Sequence, residues 1–428
     1  MFLKKKIPFS LIEISFYFFP ISLILGSLIV NLNILIFLIL SYSTFIIDKV
    51  RINLNLSSML LLLFFYTVIL SSILNIETIN VSNFVKSILL LKFFFVYLAL
   101  EILIKNNKIN LDYFFILCLV LTCFVSLDLI LQFFYGKNIL GYEPWEGRIT
   151  GLFEHEPIAG AFLQKLFLFS IIGILLLFNN KSKKSYFFSF FVLLIIFIAS
   201  FVASNRISFL ILFSISIILI IFFSILRSKL IFALVFSIPI FIYLYQSDEQ
   251  TYIKYSGFVN KVIQLTNINK VSEGKKENLS INVSSESRTL PNHGKIFLTA
   301  FKSFNDSKIL GNGLKSFRYE CKNYLKEKNT ICSTHPHNYH LEVLHDTGLV
   351  GFIIISFFVF YLLINKSKLI LSSNISYSEK IFLSLIIINF LIEIFPIKST
   401  GSLFTTWNGT LLWISIALLN YKNYSDAR

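Results

Sequence analysis

Charge is what this sequence has least of. Only 14% of its 428 residues are Asp, Glu, Lys or Arg, against about 25% in soluble globular proteins. That scarcity excludes an ordinary soluble domain, and 56% hydrophobic residues with 49 phenylalanines fit membrane composition instead. The four cysteines are too few for a disulfide scaffold. Cys118 and Cys123 lie in an apolar run and read as small core residues. Cys321 and Cys332 lie in a polar stretch, where an oxidising compartment would let them close a short loop. The first hydrophobic segment has no small-residue cleavage site and is longer than a signal-peptide core, so it reads as a retained span.

What is present is a repeated apolar run long enough to cross a bilayer. The expected fold is an all-α polytopic membrane protein of about twelve spans: 8–30, 31–47, 57–74, 84–104, 113–134, 158–178, 186–204, 207–226, 229–245, 348–365, 380–397 and 406–420. Three regions follow: 1–245 with about nine spans, a long loop 246–347, and 348–428 with about three. Net charge is +15, which in such a chain reports topology and not nucleic-acid binding. With the N-terminus inside, the short outer loops carry only Lys137, Arg148, Arg206 and Lys398. The cytoplasmic side takes Lys4, Lys5, Lys6, Lys49, Arg51 and most of the other basic residues outside the long loop. Both termini are then cytoplasmic, and the long loop and all six histidines lie outside. The middle of that loop, "NKVSEGKKENLSINVSSES", reads as disordered. "HGKIFLTAFKSF" places Ile296, Phe297, Ala300, Phe301 and Phe304 on one helical face.

Four histidines crowd into "STHPHNYHLEVLHDTGLVG". Asn338 suits a helix N-cap and Gly348 the residue past a helix end. Tyr339, Leu341, Val343 and Leu344 are expected to pack, with Glu342 and Asp346 wet. His337 then stands at a helix mouth, where it stays neutral and accepts protons. The spacing of His335, His337 and His340 also allows a metal site, although no familiar zinc pattern completes it. A polar interfacial helix without chemistry is the third reading.

Other candidates are scattered. Arg206 in "ASNRISF" stands at an outer membrane edge and suits bidentate phosphate contact. The loop "GYEPWEGRITGLFEHEPIAGAF" holds Arg148, Glu154, His155 and Glu156. Arg288 and His293 precede Phe297. Lys92 and Asp128 fall deep in predicted spans, which keeps a transporter or flippase open as an alternative. A non-catalytic assembly protein is a further alternative.

With these residues placed, the chain resembles the O-antigen ligase and O-antigen polymerase family. The resemblance rests on His337-Asn338 followed after nine residues by Gly348-x-x-Gly351, on "ILGNGLKSF" before it, and on "SNRISF". It implies a GT-C-like, metal-independent, inverting glycosyltransferase without a cofactor. The implied donor is a glycan on undecaprenyl diphosphate. The implied acceptor is a hydroxyl of lipid A core or of a growing glycan, at the outer face of the bacterial inner membrane. By that resemblance His337 is the base, supported by Asn338, His335 and Glu156, and Arg206 binds diphosphate. Where relatives carry a second arginine four residues before an aromatic, this chain has His293 four before Phe297 and Arg288 nine before it. The second phosphate contact therefore stays open among Arg288, His293 and Arg148.

Overall fold

A computed structural model of the chain describes residues 10–178, 182–203, 205–271 and 291–419. Arg288 and most of the polar stretch 269–287 lie outside the described residues. Every regular element among the described residues is helical, with one isolated two-residue bridge. In chain order the helices are α1 (Leu11–Tyr17), α2 (Phe19–Leu25), α3 (Ser27–Ile47), α4 (Leu56–Leu74), α5 (Ile76–Leu89) and α6 (Leu91–Lys105). Then come α7 (Leu111–Tyr135), α8 (Ala159–Leu177), α9 (Lys183–Val202), α10 (Arg206–Phe222), α11 (Ser224–Ser247) and α12 (Glu249–Val271). The rest are α13 (Asn292–Phe304), α14 (Phe317–Glu320), α15 (Tyr339–Leu371), α16 (Tyr377–Glu393) and α17 (Thr406–Leu419).

Among the described residues eight stretches are long and apolar enough to cross a membrane: α3, α4, α5 with α6, α7, α8, α9, α11 and α15. The chain is thus a polytopic α-helical membrane protein. The expected span 8–30 is instead interrupted twice. Pro20 at the start of α2 has no N–H to continue α1, and Gly26, at φ 99°, ends α2. The expected break near residues 227–228 falls at Phe223, whose backbone is extended.

The chain divides into two compact units. Unit one comprises 3–111 and 288–428, and unit two comprises 112–287. In unit one α15 packs along α4, α13 lies on α15, and α17 packs on α6. Trp413 joins the last pair to α4, with ring centroids 5.3 Å from Phe65 and 6.3 Å from Phe93.

The main feature of unit one is the break in α15 at Gly348, where φ is 65°. A helix break leaves backbone groups without partners on both sides. The loop after α13 supplies them. The N–H groups of Leu349 and Val350 donate to the carbonyls of Lys308 and Ile309, at 2.8 and 3.1 Å. Those of Asn312 and Gly313 donate to the carbonyls of His345 and Asp346, at 2.9 and 3.1 Å. Side chains are excluded from this seam. A Cβ on Gly348 would collide with the Ile309 carbonyl, and one on Gly311 with the Gly348 nitrogen. The two glycine motifs of the sequence are therefore two halves of one contact.

In unit two α9 packs on α11, α10 on α8 and α11, and α12 on α11. Asp128 and Gln132 on α7 anchor the following loop. Asp128 accepts from Ile139 N at 2.9 Å, and Gln132 from Thr150 N and Gly151 N at 2.9 and 2.7 Å. Phe201 stacks on Tyr255, with centroids 4.5 Å apart, and the Tyr255 hydroxyl donates to the Phe201 carbonyl at 3.0 Å. This ties the start of α12 to the end of α9.

Candidate functional site

His337 is the residue just before the N-cap of α15. The Asn338 side chain accepts from Leu341 N at 3.1 Å and donates to the carbonyls of Pro396 and Lys398 at 2.6 and 3.3 Å. The cap therefore binds both its own helix and the segment between α16 and α17. His337 itself has φ 56°, a left-handed conformation that costs a non-glycine residue energy and recurs at functional sites. The Thr400 N–H donates to the His337 carbonyl at 2.8 Å. The ring's Nδ1 lies 3.3 Å from the Thr400 carbonyl and its Nε2 lies 3.1 Å from Ser333 Oγ. A carbonyl only accepts, so Nδ1 carries the proton and Nε2 the lone pair in the neutral ring. Burial, then the neighbouring His293, lower the His337 pKa, and the Thr400 hydrogen bond opposes them.

The other histidines separate by role. His335 packs against His337 with ring centroids 4.0 Å apart. Burial first, then His337, push its pKa down to about 4. His293 is exposed, meets His337 edge-on at 5.1 Å and lies 3.2 Å from Ser399 Oγ. His340 turns elsewhere, its Nε2 2.6 Å from the Ile394 carbonyl. His345 is fully buried between Ser303 Oγ at 3.0 Å and Asp346 Oδ1 at 2.9 Å. No group of three His, Cys, Asp or Glu among the described residues is arranged to hold a metal ion.

Glu342 and Asp346 correct the expectation that they face water, since both are 1% exposed. Their side of the helix meets polar loops. Glu342 accepts from Ser402 Oγ at 2.5 Å and Leu403 N at 2.7 Å. Asp346 accepts from Lys315 N at 2.8 Å. Hydrogen-bonded backbone donors take the place of solvent. Cys321 and Cys332 form a disulfide, with Cα atoms 5.1 Å apart, and Ser333 follows it directly.

Arg206 and Arg148 belong to unit two. Arg206 opens α10 behind Asn205, whose side chain caps it, and donates from Nη1 to the Lys254 carbonyl at 3.0 Å. Arg148 closes a tight turn in which Glu146 and Gly147 have φ of 46° and 68°, the left-handed pair that a two-residue hairpin requires. Its backbone pairs with Trp145 in both directions, at 3.0 and 2.8 Å. Lys254 joins the two arginines. Its ammonium donates to the Gly147 carbonyl. Burial first, then Arg148, lower its pKa, Asp248 opposes this, and Arg206 adds to the lowering. Three cations thus share one neighbourhood in unit two. Glu156 is exposed on the same unit. Asp128 is engaged by Ile139 N. In unit one Lys92 donates to Asn31 at 2.5 Å and Thr406 at 3.0 Å.

Sequence reasoning missed Lys254, Ser333 and Thr400. No local motif marks Lys254, and Thr400 acts through its backbone, which no residue type signals. No curated protein matches the chain. Residues 190–356 match the family described as O-antigen ligase, which places this stretch, with Arg206, His293 and His337 in it, in the O-antigen ligase family.

Proposed function

We propose that the protein transfers a glycan from a polyprenyl-diphosphate carrier to an acceptor hydroxyl at the outer face of the bacterial inner membrane, as an O-antigen ligase or polymerase. The observation that carries this reading is the orientation of His337. Its Nδ1 proton is directed at a main-chain carbonyl, and its Nε2 lone pair is directed at a hydroxyl, that of Ser333. That is the geometry of a general base for an O–H group. An acceptor hydroxyl takes the position of the Ser333 hydroxyl, loses its proton to Nε2, and attacks the anomeric carbon with inversion. The bond to the diphosphate breaks and its oxygen takes the electron pair. Arg206, with Arg148 and Lys254 in the same unit, is assigned to binding the donor's diphosphate. Metal and cofactor are not required in this scheme.

The O-antigen ligase family match over residues 190–356 and eight apolar stretches among the described residues support the membrane glycan-transfer class. The commitment of Asp128 and Lys92 to local partners weighs against a transport route built on them. The deciding experiment is transfer by purified protein in liposomes. His337→Ala is expected to lower the rate by at least about 10²-fold while the protein still inserts. Undiminished transfer removes the base assignment. Carrier-bound long chains in a deletion strain indicate a ligase, and single repeats on the acceptor indicate a polymerase.

A further inference from the structure

Lys315 and Arg318 stand in unit one just after the Gly-Asn-Gly seam. Neither takes part in an ion pair among the described residues. Arg318 Nε is buried without a hydrogen-bond partner, and so are His335 Nε2 and Thr400 Oγ1. Three orphaned polar atoms in one neighbourhood are unusual, because native interiors pair nearly all such atoms. Lys315 is also held in a left-handed backbone, φ 58°, fixed by its N–H on Asp346. Its ammonium is half-buried. Burial first and then Arg318 lower its pKa, Glu342 and Asp346 oppose this, and Lys86 adds to the lowering. Lys92 on α6 feels the same Lys315 charge.

The charge balance indicates the ligand class. Lys315 has the cations Arg318 and Lys86 and the carboxylates of Glu342 and Asp346 around it, and Lys92 feels its charge. Those carboxylates are already occupied by Ser402, Leu403 N, Lys315 N and His345, which leaves positive charge in excess. Such an excess suits a phosphate, with more than one negative charge, better than a carboxylate. A guanidinium edge with a free Nε–H offers phosphate a fork of two parallel donors. His335 is neutral at pH 7 and adds a single N–H from Nε2 when Thr334, 3.0 Å from Nδ1, donates to the ring.

We propose that Arg318, Lys315 and His335, backed by Lys86 and Lys92, form a phosphate-binding site of unit one, additional to the Arg148, Arg206 and Lys254 group. The site takes a phosphate carried by a glycan substrate or by a phospholipid headgroup. It does not depend on the transfer reaction and is tested by binding alone.

The test uses the full chain carrying Arg148→Met, Arg206→Met and Lys254→Met, reconstituted in phosphatidylcholine nanodiscs and titrated calorimetrically with inorganic pyrophosphate at low salt. Saturable binding is expected. Adding Arg318→Gln or Lys315→Met should weaken it by about tenfold or more, since each removes a charge-assisted donor. Lys302→Met, on α13 and paired with Glu327, should leave it unchanged. Arg318→Lys, which keeps the charge and loses the fork, gives an intermediate loss and decides the matter should the other two variants fail to fold. Exchanging phosphatidylcholine for phosphatidylglycerol separates the sources. Displacement of pyrophosphate identifies a headgroup site, and its retention a substrate phosphate. No saturable binding, or binding indifferent to all three substitutions, overturns the proposal.

Discussion

His337 and Thr400 are joined twice, once through the Thr400 N–H to the His337 carbonyl at 2.8 Å and once from the imidazole Nδ1 to the Thr400 carbonyl at 3.3 Å. Both contacts use the main chain of residue 400. The ring is thus oriented by the main chain of a segment 63 residues away, and neither contact uses the side chain of Thr400.

That division gives a sharp prediction. Thr400→Val keeps both main-chain contacts and should retain transfer within about threefold. Thr400→Pro removes the N–H and should lower transfer by about 10²-fold, the scale of a misplaced general base. Liposome transfer assays of the two variants check this. Equal loss in both would move the role to the threonine hydroxyl.

The pH dependence follows from the direction of the shifts. His337 acts as a base only when neutral, and its pKa is lowered, so the acid limb of the rate profile should lie below the ordinary histidine value of about 6.5. His335 bears on stability. Its pKa is about 4 in the folded chain and about 6.5 unfolded, so the unfolded state binds the proton first. The contribution of a neutral His335 is complete above about pH 6.5 and is lost as pH falls through about 4. The melting temperature should fall between pH 7 and 4 in wild type, and this fall should be smaller in His335→Asn. An acid limb at or above 6.5 would contradict the assigned environment of His337.

The seam at Gly348 predicts a contrast between two glycines. Gly348→Ala meets a positive φ and the Ile309 carbonyl together, and should destabilise by about 3 kcal/mol or more. Gly257 lies in α12 with open space around it, so Gly257→Ala should be neutral or stabilising by up to about 1 kcal/mol. Thermal denaturation in detergent reads both. Equal effects would mean that the break in α15 tolerates a side chain.

The seam also shows what a sequence makes legible. Asn338 and Gly348 were readable as helix-end residues because caps depend on neighbours three or four positions away. The apolar runs were readable because a bilayer imposes length. Glu342 and Asp346 were misread because their donors come from Leu403, Ser402 and Lys315, and a helical wheel does not distinguish a polar loop from water. Of the α13 face, Ile296, Ala300 and Phe304 are buried, but Phe301 is half exposed, since the neighbouring elements cover only part of the stripe. Arg148 and Arg206 were visible singly. Their common neighbour Lys254 depends on the stacking of Tyr255 on Phe201, which no local pattern encodes.

The disulfide makes a prediction about the base as well as about stability. Cys321–Cys332 closes a loop with a sequence separation of 11, for which loop entropy gives about 3 kcal/mol. Denatured, unreduced protein should present two reactive thiols, Cys118 and Cys123, and reduced protein four. Because Ser333 follows Cys332 and contacts His337, Cys321→Ser with Cys332→Ser should lower transfer as well as the melting temperature. Four thiols without reductant would show that the bridge does not form.

Lys254 separates binding from folding. Arg148 and Arg206 disfavour its charge and Asp248 favours it, so Lys254 carries repulsion from two neighbouring like charges. Lys254→Met relieves that repulsion. The protein without substrate should melt at the same or a higher temperature, while transfer falls by about tenfold through weaker donor binding, the usual exchange of stability for function at a charged site. The loss should appear chiefly in KM for the lipid-linked donor and shrink at high salt, where screening weakens the attraction. Arg206→Lys should keep part of the activity, as it holds the charge without the planar fork. A lower melting temperature with unchanged KM would make Lys254 a structural brace between α12 and the Gly147 turn, and the diphosphate assignment would then rest on the two arginines alone.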